Sequence, residues 1–340
     1  VSPYGDPGLA PVTFWRLLTT WQFRAVDLIV LGPLLAGALA YLIGVAVVRR
    51  RGGDWPWWRV LSGVGAVLVI AWCTVGGVGV YDTTLFWDHM IGHLSLIMLA
   101  PAMLVGARPL TLLVRALPPG AARGVGRALA SRPVAVIFHP VVALVSYSVT
   151  IVATHLTGFM HTVMLHPGWI AGEHWLYIAV GYQLFVPAFN EEPIPQRLSN
   201  PAKMLMLTLT MPADTFTGLV LLQGTDVLMT AARSWGPSAA ADSQAAGAIM
   251  WVGGDGLMAV AVGALWAVWS RRPNTATLGG MLEQARLRTF TQHTGGVAGA
   301  PDDAAEAQLD DDEAALDAYN AWLRKLDSTP HRPAPRPRRR

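Results

Sequence analysis

Cysteine is almost absent: the 340 residues contain one, Cys73. A single thiol excludes an intramolecular disulfide and every metal or redox motif built on cysteine pairs. Charge is scarce as well, at 14% of residues against 53% apolar, and the mean hydropathy is +0.39. These values do not fit an ordinary soluble domain and point to a membrane protein. The net charge is only +3, and no nucleic-acid partner is expected. The opening residues are rich in proline and glycine and lack the basic start and apolar centre of a signal peptide, so none is expected there.

The charge that exists is unevenly placed. From Ala25 to Trp269 it is confined to short intervals between apolar runs, whereas the residues from 271 onward are polar, charged and rich in proline. The expected organisation is an outer N-terminal segment over 1–24, a membrane domain over 25–270 and a cytoplasmic tail over 271–340.

A helix that crosses lipid needs about 20 mostly apolar residues, because its backbone groups must bond internally where no water is present. Seven stretches qualify, namely 25–48, 58–79, 87–106, 133–155, 170–189, 203–223 and 246–269. The fold class expected is therefore all-α, a polytopic membrane bundle of seven transmembrane helices. Glu173, Gln183 and Asp214 make the fifth and sixth stretches the least apolar. Ahead of the first, PVTFWRLLTTWQF carries Trp15 and Trp21 around Leu17 and Leu18, the pattern of a short helix lying in the interface.

Basic residues set the orientation. Arg49, Arg50, Arg51, Arg108, Arg115, Arg123, Arg127, Arg132, Arg197, Lys203, Arg271 and Arg272 fall on one side of the predicted membrane; Arg16, Arg24 and Arg233 fall on the other. By the positive-inside rule the N-terminus is outside and the tail is cytoplasmic.

With that orientation the histidines sort by side. His89, His93, His155, His161, His166 and His174 gather at the outer face, six of the nine in the chain. His89 and His93 stand at i and i+4 in WDHMIGHLSLIM and share one helix face, where they can chelate an ion or simply form a water-facing helix mouth. Four further histidines on the same side favour the metal reading, since neutral imidazole is the commonest metal ligand. Met90, Met160, Met164 and Met250 are expected near the outer ends as well. Imidazole with thioether is a soft donor set that suits Cu(I). Asp214, two residues after Pro212 at mid-span, is either a polar pocket wall or a carboxylate bonded to neighbouring threonines, and Asp255 poses the same choice.

Several longer stretches resemble the CtaG-like family of cytochrome c oxidase assembly factors in its multi-span actinobacterial form. They are DHMIGHLSLIMLAPAMLVGARP, HLTGFMHTVMLHPGW, VGYQLFVPAFNEEPIPQRLSNPAKMLMLTLTMP, QAAGAIMW and DDEAALDAYNAWLRKL. The resemblance implies a non-catalytic metallochaperone of the respiratory chain in a bacterial plasma membrane. Its cargo would be copper for the Cu-B centre, and its partners the oxidase catalytic subunit and an outer copper donor. It places the metal function on His89 and His93 and extends it to His155 and His174. The chain departs from the family pattern at Asp214, Ile170 and Leu176, where histidines are usual, and at Asp255, where a glutamate is usual. Two other readings fit part of the pattern. One is a membrane redox protein with a single outer haem, since the inner side offers only His139; the other is a copper permease with Asp214 at mid-depth. In the tail, 303–326 reads as an amphipathic helix, followed by the basic PHRPAPRPRRR.

Overall fold

The computed structural model describes residues 8–159, 162–163, 166–189, 192–196, 198–224 and 233–270. Among them every regular element is helical. The long helices are α1 (Leu28–Arg50), α2 (Trp57–Thr74), α3 (Phe86–Leu94, then a π-turn over Ser95–Leu99, then Ala100–Ala107) and α4 (Pro140–Leu156). They continue with α5 (Pro167–Phe189), α6 (Asn200–Thr208 and Met211–Gln223) and α7 (Ala239–Ala248, a π-turn over Ile249–Gly253, and Gly254–Ser270). The chain divides into two units, 1–269 and 270–340. The amphipathic helix expected over 303–326 lies outside the described residues.

Among the described residues, five helical stretches are long and apolar enough to cross a membrane: Ala25–Arg50, Trp57–Tyr81, Phe86–Ala116, Asn200–Gln223 and Ala239–Ser270. Their outward faces are apolar, as a lipid-facing surface requires; Leu35 and Leu39 of α1 are 60% and 61% exposed. The fourth and fifth predicted spans differ from the rest for separate reasons. Pro140 has no N–H to continue a helix arriving from 133, so a short helix, Arg132–Ile137, stops there and α4 starts afresh. His139 caps the new start, its Nδ1 accepting from the Val141 N–H at 3.3 Å, and α4 is left with 17 residues. The fifth helix has the length, 23 residues, but Glu173, His174 and Gln183 dilute its apolar run.

Proline also shapes α3 and α6. Pro212 cannot donate to the carbonyl one turn back, and α6 breaks at Leu209–Thr210. In α3 the missing N–H belongs to Pro101, and the helix widens so that the Ala100 N–H reaches back to the Ser95 carbonyl. The Ile97 carbonyl released by Pro101 faces Gly181 of α5, and a Cβ at Gly181 would run into it. Only glycine lets α5 lie this close to α3, directly beneath His93. Gly218 of α6 and Gly247 of α7 make a similar backbone approach.

The short helix Phe14–Thr19 forms where the interfacial segment is expected, capped by the Thr13 hydroxyl, with Phe14 and Trp15 exposed. Three side chains of the bundle hold its segment. Trp72 Nε1 donates to the Leu17 carbonyl at 2.7 Å, the Tyr81 hydroxyl to Ala10 at 2.9 Å, and Trp235 Nε1 to Leu9 at 2.8 Å.

Candidate metal centre

The site is built from the first turns of α3. Asp242 of α7 accepts from the Phe86 and Trp87 N–H groups at 3.1 and 3.0 Å, satisfying donors that a helix N-terminus leaves free. Arg233 in turn donates to Asp242 at 2.8 Å. With its start fixed, α3 turns His89 and His93 inward on one face, ring centroids 3.9 Å apart. Both are buried, at 1% and 2% exposure.

The proton on each ring is set by its partners. His155 Nδ1 lies 2.9 Å from the Ile151 carbonyl, which can only accept, so this nitrogen carries the proton and Nε2 is left as an acceptor. His93 Nδ1 lies 3.0 Å from that Nε2 and therefore donates to it. The lone pair of His93 is thereby fixed on Nε2. His89 reaches the same state by another route, its Nδ1 donating to Asp82 Oδ1 at 2.5 Å. Burial pushes the Asp82 carboxyl up, but the His89 imidazole beside it outweighs that and holds it below the usual range.

Glu173 of α5 closes the set. One ligand atom from each of His89, His93 and Glu173 lies within 4.8 Å of the other two, and all three residues are buried. His89 Nε2, His93 Nε2 and Glu173 Oε2 have no hydrogen-bond partner among the described residues. Glu173 Oε2 and His93 Nε2 are 3.7 Å apart, too far for a hydrogen bond. A buried polar atom without a partner costs about 1–3 kcal/mol, more when charged. Two imidazole lone pairs and a carboxylate oxygen are all acceptors, and a cation is the kind of partner that can satisfy them together. These residues therefore fit a metal ion held by two imidazoles and one carboxylate.

The other histidines expected at the site occupy different places. His155 stands behind His93 and orients it. His174 is buried and lines a neighbouring cavity of about 20 Å³ together with Asp82 and Asp27, space for a single water, and its Nδ1 has no partner among the described residues. His166 is exposed ahead of α5. His161, with Met160 and Met164, lies outside the described residues, while Met90 and Met250 pack into the apolar core. Glu173 and Asp82 are the additions that sequence reasoning missed. Their only signal was the cost of a carboxylate in or beside an apolar run.

At mid-span the Asp214 carboxylate is fully buried. The Tyr147 hydroxyl lies 3.0 Å from each of its oxygens, so its donor comes from α4 rather than from the nearby threonines. Asp255 does take a threonine, with Thr215 donating at 2.7 Å.

Apolar helices long enough to span lipid, with one buried imidazole–carboxylate cluster near an end of the bundle, define a multi-pass membrane protein whose concentrated polar chemistry is sealed among its helices. The chain belongs to the cytochrome c oxidase caa3 assembly factor family, whose model matches residues 39–272, a range that includes Asp82, His89, His93, His155, Glu173 and His174. The resemblance read from the sequence is borne out at family level. Similar curated proteins include one from Mycobacterium bovis and one from Mycobacterium tuberculosis, each 28% identical over 93% of this chain and 46% of its own length. One from Mycobacterium leprae is 26% identical over the same shares. All three are described as uncharacterized, and this chain spans about half their length. No solved structure matches the chain.

Proposed function

We propose that this chain binds copper at His89, His93 and Glu173 and passes it to the Cu-B site of the cytochrome c oxidase catalytic subunit, in a bacterial plasma membrane. The observation that supports the reading is that three buried residues bring one ligand atom each within 4.8 Å of the others, and that each carries a buried acceptor atom without a partner among the described residues. Family membership supplies the oxidase as partner. Copper here is cargo, and the protein's work is to hold it and release it by ligand exchange, a non-catalytic role.

The membrane arrangement belongs to the same proposal. Seven spans, with α4 and α5 joining the five apolar ones, put the N-terminus outside and the arginine-rich ends of the helices in the cytoplasm. The cluster then lies toward the outer face, where the exposed His166 is the histidine that would meet an outer copper donor and the buried His174 would receive the ion further in. Two imidazoles and a carboxylate form a harder set than the imidazole–thioether set expected from the sequence, and this favours the divalent ion over Cu(I). A haem is disfavoured by space, since the cavity beside the cluster is about 20 Å³.

Metal analysis of the purified protein tests the binding, with stoichiometric copper expected. The delivery is tested in cells from which the chain has been removed: their oxidase is expected to lack copper at Cu-B and to regain it when the chain is restored. Fully loaded oxidase from cells without the chain would sink the proposal. A finer test uses Asp82→Asn, which removes the carboxylate behind His89. Partners of that kind are worth about 10–100-fold in metal affinity. A competitive titration should show a loss of that size, and an unchanged affinity would remove Asp82 from the site.

A further inference from the structure

A cavity of about 440 Å³ runs along α1, α2, α3 and α5, from Pro33, Ile70 and Trp175 to Ala107 and Pro109. Its walls are almost entirely apolar, including Leu34, Gly37, Val67 and Leu104, and it opens sideways among the lipid-facing helices. From Pro33 to Leu42 the α1 wall is about 14 Å long at 1.5 Å per residue, the reach of a substantial part of an acyl chain.

One turn of α2 before the groove residue Gly63 stands the first of two like charges. Arg59, Gly63, Val67 and Ile70 follow one another along a single face of α2, so Arg59 continues the row that lines the groove. Its guanidinium lies 4.8 Å from the Trp55 ring centroid, and the Arg115 guanidinium lies 5.8 Å from the same ring. Tyr41, another wall residue, takes a hydrogen bond from Trp55 Nε1 at 3.2 Å, and its hydroxyl lies 2.9 Å from the Ala107 carbonyl and 3.1 Å from the Arg59 carbonyl, which joins the groove to the arginine pair. Among the described residues no carboxylate lies within ion-pair distance of Arg59 or Arg115. The Arg59 Nε is buried there without a partner.

We propose that this groove is a binding site for one anionic phospholipid, its acyl chain between α1 and α2 and its phosphate on Arg59 and Arg115. Two guanidiniums over one indole repel each other, and a bound anion turns that repulsion into attraction. A zwitterionic lipid brings its own cation and gains less. Basic pockets between membrane helices recognise anionic headgroups on this principle.

The test is native mass spectrometry of the full chain in a neutral detergent, titrated with phosphatidylglycerol or phosphatidylcholine of identical acyl chains. At roughly 1 kcal/mol per arginine near the headgroup, phosphatidylglycerol should bind at least about tenfold more tightly. The doubly substituted Arg59→Gln, Arg115→Gln chain should bind the two lipids equally. Gly37→Leu should weaken both without lowering the melting temperature of the lipid-free chain, because a Cβ at Gly37 meets nothing within 4 Å and leucine favours a helix. Inorganic phosphate should not displace the lipid. Equal binding of both lipids by the unaltered chain, a preference that survives loss of the arginines, unaltered lipid binding by Gly37→Leu, or displacement by phosphate would each overturn the proposal.

Discussion

A chain carrying His89→Ala and His93→Ala is expected to purify without bound copper while still inserting and folding as a helical bundle. Both rings contribute lone pairs fixed by hydrogen bonds behind them, from Asp82 for His89 and from His155 for His93. Removing the rings deletes two of three donors, and the loss in affinity should exceed the 10–100-fold that an outer partner is worth. Stability should fall even though two partnerless atoms are lost. The partnerless Nε2 atoms disappear, but Asp82 is left buried without its donor, at about 1–3 kcal/mol or more. Glu173→Gln separates these effects: it removes the anionic ligand at nearly constant shape. Its metal affinity should fall steeply while its metal-free melting temperature holds or rises, because a buried charge has been neutralised. Elemental analysis beside thermal melts checks both. Full copper occupancy in the double variant would show that these histidines do not hold the metal.

Gly181→Leu is the second large effect. Glu173, Tyr177 and Gly181 stand at i, i+4 and i+8 on the α5 face that meets α3. A side chain at Gly181 would collide with the Ile97 carbonyl, which is backbone and cannot swing aside. Helix α5 then has to move off α3, carrying Glu173 away from His93. Overpacking of this kind costs about 1–3 kcal/mol, and copper affinity should fall with it, although no ligand has been changed. Gly172→Ala on the same helix is the control. Its Cβ meets nothing within 4 Å, and alanine should leave stability unchanged or raise it by up to ~1 kcal/mol. If both substitutions left metal binding unchanged, the close approach at Gly181 would not be what positions Glu173.

The spacing of His89 and His93 was legible because both lie on one helix, where four residues return the chain to the same face. Glu173 was legible only as a flaw in an apolar run. Its role arises from the packing of α5 on α3, which depends on Gly181 and on the carbonyl freed by Pro101, two features more than seventy residues apart. His155 was expected at the cluster, but its part in fixing the proton of His93 depends on a backbone carbonyl that no residue pattern displays. The fourth apolar run read as one span because its composition is continuous; Pro140 divides it, and the first six-residue piece turns separately. For Asp214 the pattern offered a pocket wall or a nearby threonine, whereas its partner, Tyr147, comes from another helix.

The burial of the three donor atoms has a kinetic consequence. An ion held at His89, His93 and Glu173 would sit among residues that are 1%, 2% and 3% exposed, and the segment from Leu9 to Leu17 is tied to the bundle by Trp72, Tyr81 and Trp235. Exchange waits for the helices to part. The uptake rate should therefore climb with ion concentration only to a plateau equal to the opening rate, and a bound ion should dwell far longer than its affinity alone would give.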